Sequence, residues 1–287
     1  MRVILKKKDC MGRVLSLKSA RSSISGQMKL SSLSSITVAL LIASPATAAT
    51  LSHRYSFSGN TNDTAGTNNG VLLNGATVTA TQLSLPGGGS GASAPNMGFS
   101  AVVGIGANFG GTGVTVETWY TDAGSGTWAK TFTFGSAAAG QELAFTNFRG
   151  GGDLAPGLDR NGAIALASYP FGSNTRISTG VEHHLVVSVD ASGLTNLWVD
   201  GTQEITNLAT NALSNVTSST ESIGATAWGD PGHLGSVNEF RIWSGTLTGA
   251  EVAQNFSLGP DSLVPEPAGA ALLGLGTMLV LRRRRRI

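Results

Sequence analysis

From about residue 50 to 259, apolar residues alternate with polar ones in short runs broken by Gly, Asn, Asp and Ser. Successive side chains of a strand point to opposite faces, so this period of two between turn residues predicts β-strands. The pattern places them at 53–58, 71–73, 76–80, 83–85, 114–121, 131–134, 143–148, 163–167, 185–189, 194–199, 202–206, 221–224 and 237–243. Asp190-Ala191-Ser192-Gly193 and Asp200-Gly201 read as the turns of two successive hairpins. One helix is predicted, over 249–256: Thr248 as N-cap with Glu251 three residues on makes a capping box, and Leu247 with Val252 a hydrophobic staple. It should stop near Gly259-Pro260. Gly87 to Gly91 lacks the Gly-Lys-Ser/Thr ending of a phosphate loop and reads as a plain loop. Many short strands and a single short helix predict an all-β, two-sheet antiparallel sandwich.

The two ends follow a different pattern. Basic residues from Lys6 to Lys29 precede the apolar run 36–43 and then Ala46-Thr47-Ala48, the layout of a signal peptide over 1–48; Met28 would begin one of ordinary length, over 28–48. At the other end a linker, 260–264, leads to Pro265-Glu266-Pro267, an apolar segment over 268–281, and five arginines, Arg282 to Arg286. As a helix, fourteen apolar residues rise about 21 Å, short of a hydrocarbon core of about 30 Å, which suits a transient anchor better than a permanent span. The positive-inside rule keeps the arginines cytoplasmic and the body outside. This tripartite tail, 265–287, resembles the PEP-CTERM sorting signal of Gram-negative bacteria that make exopolysaccharide. The resemblance implies an exosortase-type membrane enzyme as processing partner, transit through the inner membrane, and a cell-surface or extracellular-matrix destination.

Removing the tails changes what the charge says. The whole chain is formally +2, but residues 50–264 hold fifteen acidic side chains against six basic ones, a formal −9. An acidic domain does not attract nucleic acid by its field. The single cysteine, Cys10, falls in the leader, so no disulfide is expected in the body.

Five segments of the body, in order, are similar to the LamG-like, concanavalin A-like jelly roll: Tyr55-Ser56-Phe57 with Asn62-Asp63 and Asn69-Gly70; Val114 to Trp119; His184 to Val187; Leu197 to Gly201; and Asn238 to Trp243 with Leu247-Thr248. The resemblance covers 50–259. It implies that the first strand pairs antiparallel with the last; alternation then puts Phe240 and Ile242 on the buried face and Glu239 and Arg241 on the other. That fold hosts lectins, hydrolases, adhesion modules and spacers alike, so function must be argued from the site.

Hydrolases that cut glycosidic bonds need two carboxyl groups flanking one bond. No strand presents such a pair. Asp200 and Glu204 are separated by a turn, and Asp153 and Asp159 by a loop with Pro156 and Gly157, so the body is read as non-catalytic. His183 and His184 read as structural, and no Ser-His-Asp arrangement is visible along the chain. The resemblance also implies a calcium ion. Asp63, with Asn60 and Asn62, can supply oxygen ligands, and Asn238 and Glu239 can complete the shell; the other reading has Asp63 building Asx turns. Trp119, Trp198 and Trp243 lie within strands and read as packing residues. Trp228, in the turn-rich Ala227-Trp228-Gly229-Asp230-Pro231-Gly232, is the candidate sugar-stacking residue, with Asp230 as polar neighbour. The expectation is an exported module that binds extracellular polysaccharide or adheres. A ligand-free matrix component and a glycan-active hydrolase are the alternatives.

Overall fold

The longest strand, β14 (Gly232–Ser244), organises the molecule because it pairs along both edges. In this computed structural model β6 (Val114–Asp122) runs antiparallel along one edge. The other edge is shared by β4 (Leu83–Gly88) and then β1 (Thr50–Tyr55), both antiparallel to β14. Outward from β6 follow β10 (Glu182–Val189), β11 (Leu194–Val199) and β12 (Thr202–Ala209), and β3 (Thr77–Val78) flanks β4. A second run comprises β9 (Gly157–Asp159), β8 (Glu142–Thr146), β7 (Lys130–Gly135), β13 (Glu221–Ile223), β5 (Gly98–Ala101) and β2 (Gly70–Leu73). A single parallel bridge, Gly232 to Lys130, joins the two runs into one curled 14-stranded sheet. The residues described are 49–88, 98–101, 113–138, 140–149, 156–159, 177–216 and 221–262. The leader (1–48), the predicted strand at 163–167 and the sorting tail with Pro265, Glu266 and Pro267 lie outside them.

The pairing of the first strand with the last is as the resemblance implies, with Tyr55 opposite Phe240 and Arg54 opposite Arg241. Between the two runs lies the main core, where Tyr55, Val116, Tyr120, Phe132, Phe134, Leu185, Leu197, Phe240 and Ile242 meet. Val237 belongs to the same core although it stands three residues from Phe240, an odd separation that strict alternation would send to opposite faces. A bulge reconciles them: the register with β6 shifts between Val237 and Glu239, leaving Asn238 as the extra residue.

Local chemistry explains the turns. Asp200 and Gly201 both take positive φ, 49° and 74°, as a two-residue type I′ hairpin requires. Gly87 does not sit in a loop, as the sequence suggests. It lies inside β4 at φ 64°, and a Cβ there would come within 2.8 Å of the Leu234 Cβ, so the glycine lets β4 lie close along β14.

The helix α1 (Gly249–Leu258) has the predicted capping box, the Thr248 hydroxyl accepting from the Glu251 amide while the Glu251 carboxylate accepts from the Thr248 amide. Leu247 and Val252 are both buried. They pack with Trp198, Trp243 and Val186 in a second, smaller cluster on the outer face of the sheet. The helix runs two residues beyond the expected end and stops where the Gly259 amide turns back to the carbonyls of Asn255 and Phe256.

Candidate functional site

Trp228 stands in the turn-rich connection between β13 and β14. It is 41% exposed, a high value for a residue of its size. Its indole is nevertheless fixed, because Nε1 donates to Oε2 of the buried Glu142 on β8 at 2.7 Å. Thr226 ties the loop internally: its hydroxyl accepts from the Trp228 amide at 3.1 Å and reaches Asp230 Oδ2 at 3.5 Å. The structure thus brings Trp228 and Asp230 into one braced loop, as expected, and adds Glu142, which sequence reading passed over. Nothing marks Glu142 along the chain; its partner stands 86 residues away. A neighbouring loop closes in from the other side, with Gly126 against Pro231. It also carries Trp128, over whose ring the Lys130 ammonium lies, 5.0 Å from the centroid.

The three residues expected to hold calcium are not gathered into one site. Asp63 Oδ1 accepts from the amides of Arg54, Ala65 and Gly66, and Oδ2 faces His53 Nδ1 at 2.7 Å and accepts from the Asn68 amide. Burial pushes its carboxyl up, but the His53 contact and the amides of Arg54, Gly66 and Asn68 outweigh that and hold it below the usual carboxylate range. Asn238, in the bulge, donates to Glu182 instead. Glu239 takes both Nε and Nη2 of Arg54, at 2.8 and 3.0 Å, together with Arg241 Nε and the Asp261 amide. Burial raises the Glu239 carboxyl, and the Arg54 and Arg241 guanidinium groups pull it down further than burial lifts it. Donors therefore occupy the directions from which a cation would be bound, and this donor set does not fit calcium. Among the described residues no group of three or more His, Cys, Asp or Glu side chains is arranged to hold a metal ion.

Glu239 and Arg241 do face away from Phe240 and Ile242, as alternation demands, but that face is not open to water. Both are buried. Glu117 on β6 lies beside them, also buried, and accepts from His184 Nε2 at 2.9 Å, Trp243 Nε1 at 2.9 Å, Asn255 Nδ2 at 3.2 Å and Arg241 Nη1 at 3.5 Å. The Arg241 guanidinium lies over Trp119, 4.5 Å from its centroid, and His184 is stacked between Trp119 and Phe256. Asn255 and Phe256 come from α1, so the helix roofs the network. Trp119, Trp198 and Trp243 are buried, as expected of packing residues, though on this outer face rather than in the main core.

A further polar group lies at the end of β6. Asp122 accepts from the amides of Gly124 and Ser125, both at 2.7 Å, and from Asn147 Nδ2 at 2.6 Å. His233 Nδ1 is 3.3 Å from Ser125 Oγ, but that hydroxyl is buried and engaged with the Leu234 backbone, donating to its carbonyl and accepting from its amide. This arrangement braces two loops rather than activating a nucleophile. His53 and His184 are likewise held in buried pairs with Asp63 and Glu117.

The family model described as the concanavalin A-like lectin/glucanases superfamily matches residues 86–253, more than half of the 287-residue chain. No curated protein matches the chain. Among solved structures, domain 4 of AbnA, an extracellular GH43 arabinanase from Geobacillus stearothermophilus in complex with arabinotriose, is similar at 21% identity and a TM-score of 0.49, over 72% of this chain and 98% of that one. A Trypanosoma rangeli sialidase mutant with trans-sialidase activity is similar at 16% identity and a TM-score of 0.49, over 71% of this chain and 32% of that one. The botulinum neurotoxin type G receptor-binding domain is similar at 11% identity and a TM-score of 0.46, over 73% of this chain and 51% of that one.

Proposed function

Because the chain belongs to the concanavalin A-like lectin/glucanases superfamily, we propose that it is an exported module that binds polysaccharide through the Trp228 loop, on a two-sheet jelly-roll body. The observation that carries this reading is the state of Trp228: a large aromatic side chain left substantially exposed, with its ring orientation set by Glu142. A flat apolar face suits the C–H surface of a pyranose, and a side chain already immobilised loses little rotamer freedom on binding. Asp230, in the same loop, supplies a hydrogen-bond acceptor for sugar hydroxyls. The reading leaves glycosidic cleavage aside, because Glu117 and Glu239, the two carboxylates that share Arg241, are buried and engaged by donors beneath α1.

Delivery follows from the two ends. The leader takes the chain out of the cytoplasm, and an exosortase-type enzyme acts at Pro265-Glu266-Pro267 while the apolar segment 268–281 holds the protein in the inner membrane for a time. The destination is the cell surface or the polysaccharide matrix. Affinity gel electrophoresis against a panel of bacterial exopolysaccharides tests the binding. Retardation by at least one polysaccharide is expected, and Trp228→Ala should abolish it while the variant still unfolds cooperatively, at a midpoint lowered by the lost bond to Glu142. Free migration in every gel would favour the ligand-free matrix component instead.

A further inference from the structure

The turn that leads into β10 and the hairpin tip that closes on it bring together three side chains that the sequence keeps apart. Ser178 Oγ lies 2.8 Å from His183 Nε2, and His183 Nδ1 lies 2.7 Å from Asp200 Oδ2. The other Asp200 oxygen accepts from the His184 amide at 2.9 Å, so the carboxylate is held at both ends. Its place is set by the type I′ turn, which puts residue 200 at the tip between β11 and β12. A carboxylate oxygen accepts, so Nδ1 is the donor toward Asp200, and Nε2 is the ring nitrogen that faces the serine hydroxyl. The imidazole is largely enclosed, with 11% of its side chain exposed and the Tyr120 ring 6.4 Å away, whereas Ser178 is open to solvent.

We propose that Ser178, His183 and Asp200 form a hydrolytic relay that cleaves carboxylic esters of short acyl groups at the surface of the domain. This departs from the sequence expectation of a non-catalytic body, and it neither needs nor excludes glycan binding at Trp228. The order of contacts, hydroxyl to Nε2 and Nδ1 to carboxylate, is that of a nucleophile, its base and the group that orients the base. The surroundings fit. Gly180, two residues on at φ 75°, has nothing within 4 Å of where a Cβ would stand, so the turn itself is uncrowded there. Its amide donates to the Asp122 carbonyl at 2.7 Å, which anchors the turn. The amide of Thr179, the residue after the nucleophile, has no acceptor among the described residues and is the donor at hand for a developing oxyanion. A single such donor gives modest stabilisation, which suits esters rather than amides. The exposed Val181, rather than an enclosed pocket, is the apolar side chain available to the acyl group, which favours short chains.

In the first half-reaction Ser178 Oγ bonds to the ester carbonyl carbon and its proton passes to Nε2. Collapse of the tetrahedral adduct breaks the carbon–alkoxy bond, and the alcohol leaves with the proton from Nε2. Water then attacks the acyl-serine, gives a proton to Nε2, and the second collapse returns that proton to Ser178 and releases the carboxylic acid.

A fluorophosphonate probe tests the relay on the whole exported protein without any polysaccharide, so a failure here is distinct from a failure of binding. The Oγ–P bond forms, the P–F bond breaks, and the proton goes to His183. A single adduct on Ser178 is expected by peptide mass, absent in Ser178→Ala and formed about 10²- to 10⁴-fold more slowly in His183→Ala. Asp200→Asn, which keeps a residue tolerant of left-handed backbone in the turn, should slow labelling while leaving the thermal midpoint in place. Hydrolysis of p-nitrophenyl acetate should follow the same order of variants. No adduct on Ser178 in the folded protein, or acetate hydrolysis unchanged by Ser178→Ala, overturns the proposal.

Discussion

Asp122 shows how one buried acid couples the fold to pH. Burial lifts its carboxyl, but the Ser125 amide, Asn147, the charge of His233 and the Gly124 amide outweigh it and bring it down to about 2. A carboxyl depressed in the folded state contributes stability above its unfolded value near 4 and loses it as pH falls through the folded value. Denaturant midpoints should therefore drop between about pH 4 and pH 2, Asp122 accounting for about 1–2 kcal/mol after allowance for solvent screening. In Asp122→Asn this part of the acid dependence should vanish while stability at neutral pH is lower. Asp63 works in the same sense with more donors. Asp63→Ala leaves several part-buried amides without their acceptor, so calorimetry should show a loss of about 2 kcal/mol. Because those donors fill the carboxylate, Asp63→Ala should leave the response of the midpoint to millimolar calcium and to chelator as it is in the parent protein.

At the scale of elements, α1 matters less as a helix than as a lid over charge. Its own signals are modest: Thr248→Ala should cost about 1 kcal/mol through the lost cap. What the helix covers is worth more. Arg241→Met removes the cation shared by two buried carboxylates, of which Glu239 keeps Arg54 and Glu117 keeps His184, Trp243 and Asn255, and should cost about 3 kcal/mol, seen as a lowered unfolding midpoint. The bulge at Asn238 is the other element-scale device. It shifts the parity of β14, so that Val237 and Phe240 both reach the core while Glu239 and Arg241 stay together on the outer face.

Over the whole molecule, that outer network also holds the last described residues against the first strand. The Asp261 amide donates to Glu239 Oε2 at 2.8 Å, and Arg241 Nη2 donates to the Ser262 carbonyl at 2.7 Å, three residues before Pro265. The first strand and the last described residues thus meet at one pair of charges, since Arg54 of β1 holds the same Glu239. Mass spectrometry of exported material should find a new N-terminus near Ala49 and no Arg282–Arg286 block. An intact arginine end on surface protein would contradict processing at the tail. No described helix is long and apolar enough to cross a membrane, and the segment 268–281 lies outside the described residues.

What the sequence determined by itself is what depends on neighbours along the chain. Alternation located nearly every described strand, Asp200-Gly201 declared its hairpin because both residues tolerate positive φ, and Thr248 with Glu251 announced the helix because the capping box spans only four residues. The short strands 98–101 and 157–159 escaped because each follows a run rich in Gly with Pro that reads as loop. Tertiary structure decided whatever depends on which distant segments lie side by side. Alternation put Glu239 and Arg241 opposite Phe240, but only the docking of α1 and the approach of Arg54 and Glu117 made that face a buried, paired network. Asp63 reads from its neighbours as either a calcium ligand or a turn builder, and its contacts with His53 and the surrounding amides chose the second role. Trp228 stood out as a large aromatic in a turn-rich loop, yet its partner Glu142 had no mark along the chain. Ser178, His183 and Asp200 fall into line only once the β11–β12 hairpin tip folds back over the start of β10, because a side-chain relay is a matter of distance and direction in space, which spacing along a chain does not encode.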